Sequence, residues 1–279
     1  MPTNKQRREA AQRRLQRQLE RREELARKRR RNLLIGITVV AVLAVVGAFF
    51  IITGITGDDS DPSAAADPSA AVSDTAGAAT ATNADGTVAC NFISDTSGNT
   101  DLTDVGTPPD AASTPTTGTS TLRMSTGQGD LTLTLDRAQA PCAAASFTYL
   151  AEQQFFDGSP CHRMVNGESF GVLQCGDPSG TGQGGPTYKY AEEVTPETTY
   201  PRGTIAMAKT SAPNTTGSQF FLCFVDTQLP PEYTVVGTVD EPGIAVLEKV
   251  AAGGIEGAGP TGDGAPAIPV TINTLSVVS

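Results

Sequence analysis

The sequence predicts an all-β-dominated domain at its C-terminal end. It is read as an eight-stranded antiparallel β-barrel capped by two helices, behind a transmembrane helix and a disordered stalk. Three observations lead there. Eight short runs after about residue 118 alternate apolar and polar residues. Two other segments in that region place their apolar residues on one helical face. Far upstream, Leu33 to Ile55 is a run of 23 residues without a charge.

Taken in order, residues 1–32 form a basic segment. They hold 13 of the 20 Lys and Arg and 4 of the 30 Asp and Glu, with no sustained apolar stripe. Such a pattern suits a solvated cytoplasmic helix beside anionic headgroups. Residues 33–55 are long enough to span a hydrocarbon core of ~30 Å with some tilt. The basic flank and the apolar run are both too long for a signal peptide. Arg29, Arg30 and Arg31 keep the N-terminus cytoplasmic by the positive-inside rule, so the lipid bilayer is an expected partner through residues 33–55. The chain is expected in the cell membrane as a single-pass protein with its C-terminal domain extracytoplasmic.

Residues 56–117 are expected to be a flexible extracytoplasmic linker. The stretch 57–88 is Ala/Ser/Asp/Thr/Gly with almost no large apolar side chain, too little to offset its chain entropy. Residues 89–117 add Cys90, Phe92 and Ile93 and read as an arm tied to the domain. Beyond residue 32 the chain carries 7 basic and 26 acidic residues, a net of −19. That charge repels phosphate and argues against a nucleic-acid partner.

The domain is placed at 118–279. Its strand-like runs are TSTLRMST, GDLTLTLD, CHRMVN, FGVLQCG, GTIAMAK, SQFFLCF, YTVVGTV and IPVTINTLSVV. One helix is expected in APCAAASFTYLAEQQ, with Phe147, Leu150 and Ala151 on its inner face, and another in EPGIAVLEKVAA. Eight strands and two helices in about 160 residues fit a closed antiparallel barrel. The five cysteines are odd in number, and an extracytoplasmic location permits disulfides. Cys223 lies in an apolar run and is read as a free core thiol. Cys90, Cys142, Cys161 and Cys175 allow two bridges in three connectivities. No metal site is expected, since no C-x-x-C spacing exists and the chain has one His.

Several tempting motifs lack context. Gly180 to Gly185 matches G-x-G-x-x-G, but no helical run follows, so it is read as a surface loop. Cys161 and His162 are adjacent on a strand and point to opposite faces, which excludes a nucleophile–base pair. Asp177, Glu192 and Glu193 read as ordinary carboxylates.

Two segments stand out together: CHRMV at 161–165 followed by VLQCGD at 172–177, and MAKTSAPNTTGSQFFL at 207–222. They resemble the cyclophilin family, whose usual forms are F-H-R, F-M-x-Q-G-G-D and M-A-N followed by N-T-N-G-S-Q-F-F. The resemblance runs from about Thr121 to Val278. With the anchor and extra cysteines, the chain looks like the membrane-anchored cyclophilins of actinobacteria. The resemblance implies a cyclophilin-like fold and peptidyl-prolyl cis-trans isomerase activity without a cofactor, on proline-containing unfolded or flexible polypeptides. It makes Arg163 the catalytic arginine, Gln174 the glutamine that holds it and the substrate backbone, and Phe221 the floor of the proline pocket. Val172 stands for a pocket methionine. Ala208 and Lys209 match a backbone-binding Ala-Asn pair, Gln219 the next polar contact, and Leu229 a pocket wall. Tyr233 replaces a rim histidine. Phe170 and Gly171 both remain open for the pocket phenylalanine, because the link from Arg163 to Gln174 is about three residues longer than usual. A cyclosporin-type ligand is also implied, bound more weakly, because Gln228 stands where many eukaryotic members have Trp. A non-catalytic proline-peptide binding module or chaperone on the same fold is the alternative.

The chemistry fits these residue types. Rotation about a peptide C–N bond faces a barrier of ~18–20 kcal/mol, and X-Pro bonds exchange over tens of seconds or more. Catalysis needs a ring pocket, backbone donors and a cation that favours the twisted amide, but no nucleophile or metal. A guanidinium stays charged and donates to the prolyl nitrogen as it becomes pyramidal.

Overall fold

The computed structural model describes residues 82–257 and 262–278. The basic segment 1–32 and the expected membrane span 33–55 lie outside the described residues. No helix among the described residues is long and apolar enough to cross a membrane.

The eight expected strands all form. Strands β3 (Thr119–Thr126) and β4 (Gly129–Asp136) make a hairpin in which Leu122, Met124, Leu131, Leu133 and Leu135 face the core. Next come β5 (Arg163–Gly167), β6 (Phe170–Cys175), β9 (Thr204–Met207), β10 (Phe220–Cys223), β11 (Val235–Val239) and β14 (Ile272–Val278). Five two-residue strands and one of four residues were not expected. Strands β1 (Ile93–Ser94) and β2 (Leu102–Thr103) lie in the arm, and β7 (Gly185–Pro186) and β8 (Tyr188–Lys189) follow the glycine-rich loop. Strands β12 (Ile255–Glu256) and β13 (Asp263–Pro266) precede the last strand.

The closed eight-stranded barrel is not found. The main sheet has ten strands in the order β12-β13-β5-β6-β10-β9-β11-β4-β3-β14, and its outer strands do not pair with each other. The segment before β5 meets the start of β14 through one bridge, Pro160 to Thr271. Both edges of β5 itself are taken, one by β6 and the other by β13, so β14 meets only the segment ahead of it. The contact therefore stops at a few bonds, such as Cys161 N–H to the Val270 carbonyl at 2.8 Å.

Helix α1 (Pro141–Glu152) buries Phe147 and Leu150 against the sheet. The Phe147, Phe156 and Phe220 rings stack there with centroids 4.9–5.8 Å apart. Its N-terminus has no side-chain cap from Ala140. Instead the Glu193 carboxylate accepts the N–H groups of Cys142 at 3.0 Å and Ala143 at 2.8 Å. Burial pushes the Glu193 carboxyl up, and these two bonds draw it back. Helix α2 (Glu241–Ala252) is capped by Asp240, which accepts from Gly243 N–H at 3.0 Å.

The arm is held along most of its length. Cys90 bonds Cys142 on α1, and Phe92 packs edge-on against Tyr188 and Tyr190. Strand β1 pairs antiparallel with β8, and β2 pairs parallel with β7. Within the expected linker, residues 89–117 read as an arm tied to the domain, and these are the contacts that tie it. The second disulfide joins Cys161 to Cys175, and Cys223 is free and buried, its thiol pushed up to about 12 by burial.

Candidate active site

One row of the sheet organises the site. Arg163 on β5 pairs with Gln174 on β6, Gln174 with Phe221 on β10, Phe221 with Ala206 on β9, and Ala206 with Val235 on β11. Cross-strand partners project from the same face, so the register aligns a cation, an amide and an aromatic floor. A neighbouring row sets Val165, Val172 and Cys223 side by side. These residues and Tyr200 form a second apolar cluster, separate from the main core, with Phe170, Ala208, Leu229 and Tyr233 half-buried around it.

The hairpin β5–β6 turns at Glu168 and Ser169, with Gly167 opposite Phe170. Alternation puts Phe170, Val172 and Gln174 on the site face. Gly171 takes the other face, where an added Cβ would meet the Phe224 ring at 2.7 Å. Phe170, rather than Gly171, therefore lines the pocket.

An open cavity of about 660 Å³ lies over this face, lined by Arg163, Phe170, Val172, Gln174, Phe221, Ala208, Lys209, Leu229 and Tyr233, with Asp263 at one side. The Tyr233 ring stands edge-on to Phe221 at 5.5 Å. Tyr200 fixes that wall: its hydroxyl accepts from Tyr233 N–H at 2.9 Å and lies 3.1 Å from the Pro230 and Tyr233 carbonyls. Gln219 lines an adjoining cavity of about 440 Å³ that shares Gln174, Ala208 and Lys209 with the first.

A polar relay runs along the edge. The Arg163 Nε–H donates to Asp263 Oδ2 at 2.7 Å, and its Nη1 donates to Gln174 Oε1 at 3.0 Å. Gln174 Nε2 donates to Gln219 Oε1 at 2.9 Å, and Gln219 Nε2 to the Gly184 carbonyl at 2.9 Å. Each amide thus accepts from one neighbour and donates to the next, which fixes its orientation.

The profile of the family described as "Cyclophilin type peptidyl-prolyl cis-trans isomerase/CLD" matches residues 121–277. The chain belongs to the cyclophilin-type peptidyl-prolyl isomerase family. It is 48% identical over 181 residues to a "Probable peptidyl-prolyl cis-trans isomerase B" of Mycobacterium leprae, covering 60% of each chain. A Mycobacterium tuberculosis protein of the same description is 44% identical, over 54% of this chain and 52% of that one. The chain thus spans about half to three-fifths of the length of these curated relatives. A Helicobacter pylori "Peptidyl-prolyl cis-trans isomerase" is 41% identical over 133 residues, 80% of its length. Among solved structures, a Cryptosporidium parvum cyclophilin type peptidyl-prolyl cis-trans isomerase aligns over 99% of its chain and 58% of this one, at 29% identity and a TM-score of 0.50.

The sequence did not point to three residues that shape this cyclophilin's site. Asp263 sits in the short run DGAP, which has no alternation to mark a strand. Tyr200 lies outside any periodic run. Asp177 read as an ordinary carboxylate, yet it is fully buried and holds the loop 177–184. It accepts from Ser179 N–H at 2.8 Å, Ser179 Oγ at 2.7 Å, Gly182 N–H at 2.7 Å and Gly184 N–H at 3.1 Å. Burial raises this carboxyl, but the four bonds together outweigh it and hold it below the usual carboxylate range. The loop starts at Gly176, where φ is +89° and an added Cβ would run into the Ser218 carbonyl. The arm braces the loop from outside: Asn99 Nδ2 donates to the Gln183 carbonyl at 2.8 Å, and Thr181 Oγ1 to Asp101 Oδ2 at 3.0 Å. His162 lines the main cavity, and its Nδ1 is buried and makes no hydrogen bond. Burial pushes the imidazole down, with the Asp177 charge opposing.

Proposed function

We propose that the chain is a peptidyl-prolyl cis-trans isomerase acting on X-Pro bonds of secreted or membrane-surface proteins. The observation that carries this is the register row: Gln174 stands between Arg163 and Phe221 on adjacent strands, under one open cavity. In this reading the pyrrolidine ring sits on Phe221 between Val172, Phe170, Leu229 and Tyr233. Ala208, Lys209 and Gln219 hold the flanking peptide backbone. Two of the five N–H groups of Arg163 are engaged by Asp263 and Gln174, which aims the guanidinium. A remaining N–H donates to the prolyl nitrogen as the amide twists and loses its double-bond character. This bond forms only away from the planar amide, so it lowers the barrier rather than tightening ground-state binding. No proton is transferred and no bond is broken.

The test is cis/trans exchange of a short X-Pro peptide, followed by NMR, with the full chain in detergent micelles. Acceleration at substoichiometric protein is expected. Peptide binding without acceleration at stoichiometric excess would instead favour a proline-peptide binding module. We further propose that residues 33–55 anchor the chain in the membrane with the domain outside. Protease added to spheroplasts should then release a fragment cut within residues 57–81. A protected domain would reverse the topology.

A further inference from the structure

We infer that Asp263 is a positioning residue for Arg163, a role that rests on the isomerase reading above. Three strands cooperate in it. Strand β5 carries Arg163 between two neighbours, β6 on one side and β13 on the other. On β6, Gln174 is the direct cross-strand partner of Arg163. On β13, Asp263 pairs with Val165, two residues along β5, and so lies diagonal to Arg163 on the same face. Diagonal neighbours are within reach of a long side chain. The guanidinium is therefore gripped from both flanks, at Nε by Asp263 at 2.7 Å and at Nη1 by Gln174 at 3.0 Å. Asp263 also lines the main cavity beside Arg163.

The pair admits two opposite effects. As a counter-charge, Asp263 would weaken the cation that stabilises the twisted amide. As a brace, it would hold a side chain of high rotamer freedom in the orientation the reaction needs. Exposure decides between them. The Arg163 and Asp263 side chains are 40% and 25% exposed, so solvent screens the charge pairing and leaves the geometry of the hydrogen bond. A planar fork with Nε held at one edge and Nη1 at the other has little freedom left to rotate. Asp263 acts through Arg163 and makes no bond with the prolyl nitrogen in this scheme.

The experiment is a double-mutant cycle on the full chain, measuring kcat and KM for X-Pro exchange in the parent, D263A, R163A and R163A/D263A, with D263N as a fifth protein. Asp263→Ala should lower kcat about tenfold with KM within about threefold, because the lost orientation is felt at the transition state. Asp263→Asn keeps an acceptor oxygen for Nε and should recover most of that loss. In the R163A background, removing Asp263 should have no further effect, which a merely structural residue would not show. The same tenfold loss in both backgrounds, or a D263A variant as fast as the parent or faster, overturns the inference while leaving the isomerase reading intact. A parent without turnover overturns both.

Discussion

Replacing Arg163 by alanine should lower kcat for X-Pro exchange by about tenfold to a hundredfold and leave KM within about threefold. The structure sets this range. Arg163 keeps N–H donors beyond the two held by Asp263 and Gln174, and it borders the cavity floored by Phe221. The bond lost at the transition state is charge-assisted, worth about 1.5–3 kcal/mol. Each ~1.4 kcal/mol is a factor of ten in rate. Folding should hardly suffer, because an ion pair this exposed contributes at most about 1 kcal/mol, or a few degrees in Tm. Arg163→Lys should recover only part of the rate, since an ammonium lacks the planar fork that Asp263 and Gln174 grip. The assay is NMR exchange on one peptide at several concentrations, which separates kcat from KM, beside a thermal melt. An alanine variant within threefold of the parent in kcat would refute the argument and leave the apolar pocket to do the work alone.

Other outcomes follow from the same geometry. Asp177→Ala strands the N–H groups of Ser179, Gly182 and Gly184 and should cost about 3 kcal/mol or more in chemical denaturation; a loss under about 1 kcal/mol would mean the loop does not depend on it. Replacing Cys90 and Cys142 together by Ser opens a loop with a sequence separation of 52 and should cost about 4 kcal/mol by loop-closure entropy, measurable as a lower denaturant midpoint; an unchanged midpoint would contradict this. The half-buried His162 has its pKa below the ordinary imidazole value, so the unfolded chain takes up the proton first. Its contribution to stability is lost as pH falls through about 6.5 toward the lower folded value, and His162→Gln should flatten that slope in pH-dependent melts; an identical slope would remove His162 as its source. Gln228 is exposed next to the wall residue Leu229. Gln228→Trp should tighten cyclosporin inhibition by about tenfold or more, as for an aromatic hot spot, and no change would withdraw Gln228 from the ligand's edge.

The sequence by itself determined the eight long strands and both helices. Period-two and helical apolar patterns are local, and in TSTLRMST, GDLTLTLD and EPGIAVLEKVAA the burial seen in the fold alternates as the residues do. The resemblance also put Arg163, Gln174 and Phe221 in one site, and the run SQFFLCF set Gln219 and Phe221 on one strand segment. What the sequence left open was non-local. Whether Phe170 or Gly171 faces the pocket depends on where the hairpin turns, and only the register with Gly167 at one end and Arg163 at the other decides it. The choice among three disulfide connectivities depends on Cα separations across the fold, which brought Cys90 to Cys142 and Cys161 to Cys175. The barrel stayed unclosed because β6 and β13 take both edges of β5 and leave β14 only the short segment ahead of it, and local pattern gives no warning of which strands will meet there. Residues 89–117 read as an arm tied to the domain, but nothing local says what ties them. They are held by partners distant in sequence, namely Tyr188, Tyr190, Gly185 and Cys142. Asp263 escaped for the same reason: β13 has no periodic signal, and a carboxylate acquires its role only when pairing with β5 lays it beside Arg163. Periodicity records which way a side chain points, whereas the partner it meets is fixed by strand order and register, and these exist only in the folded chain.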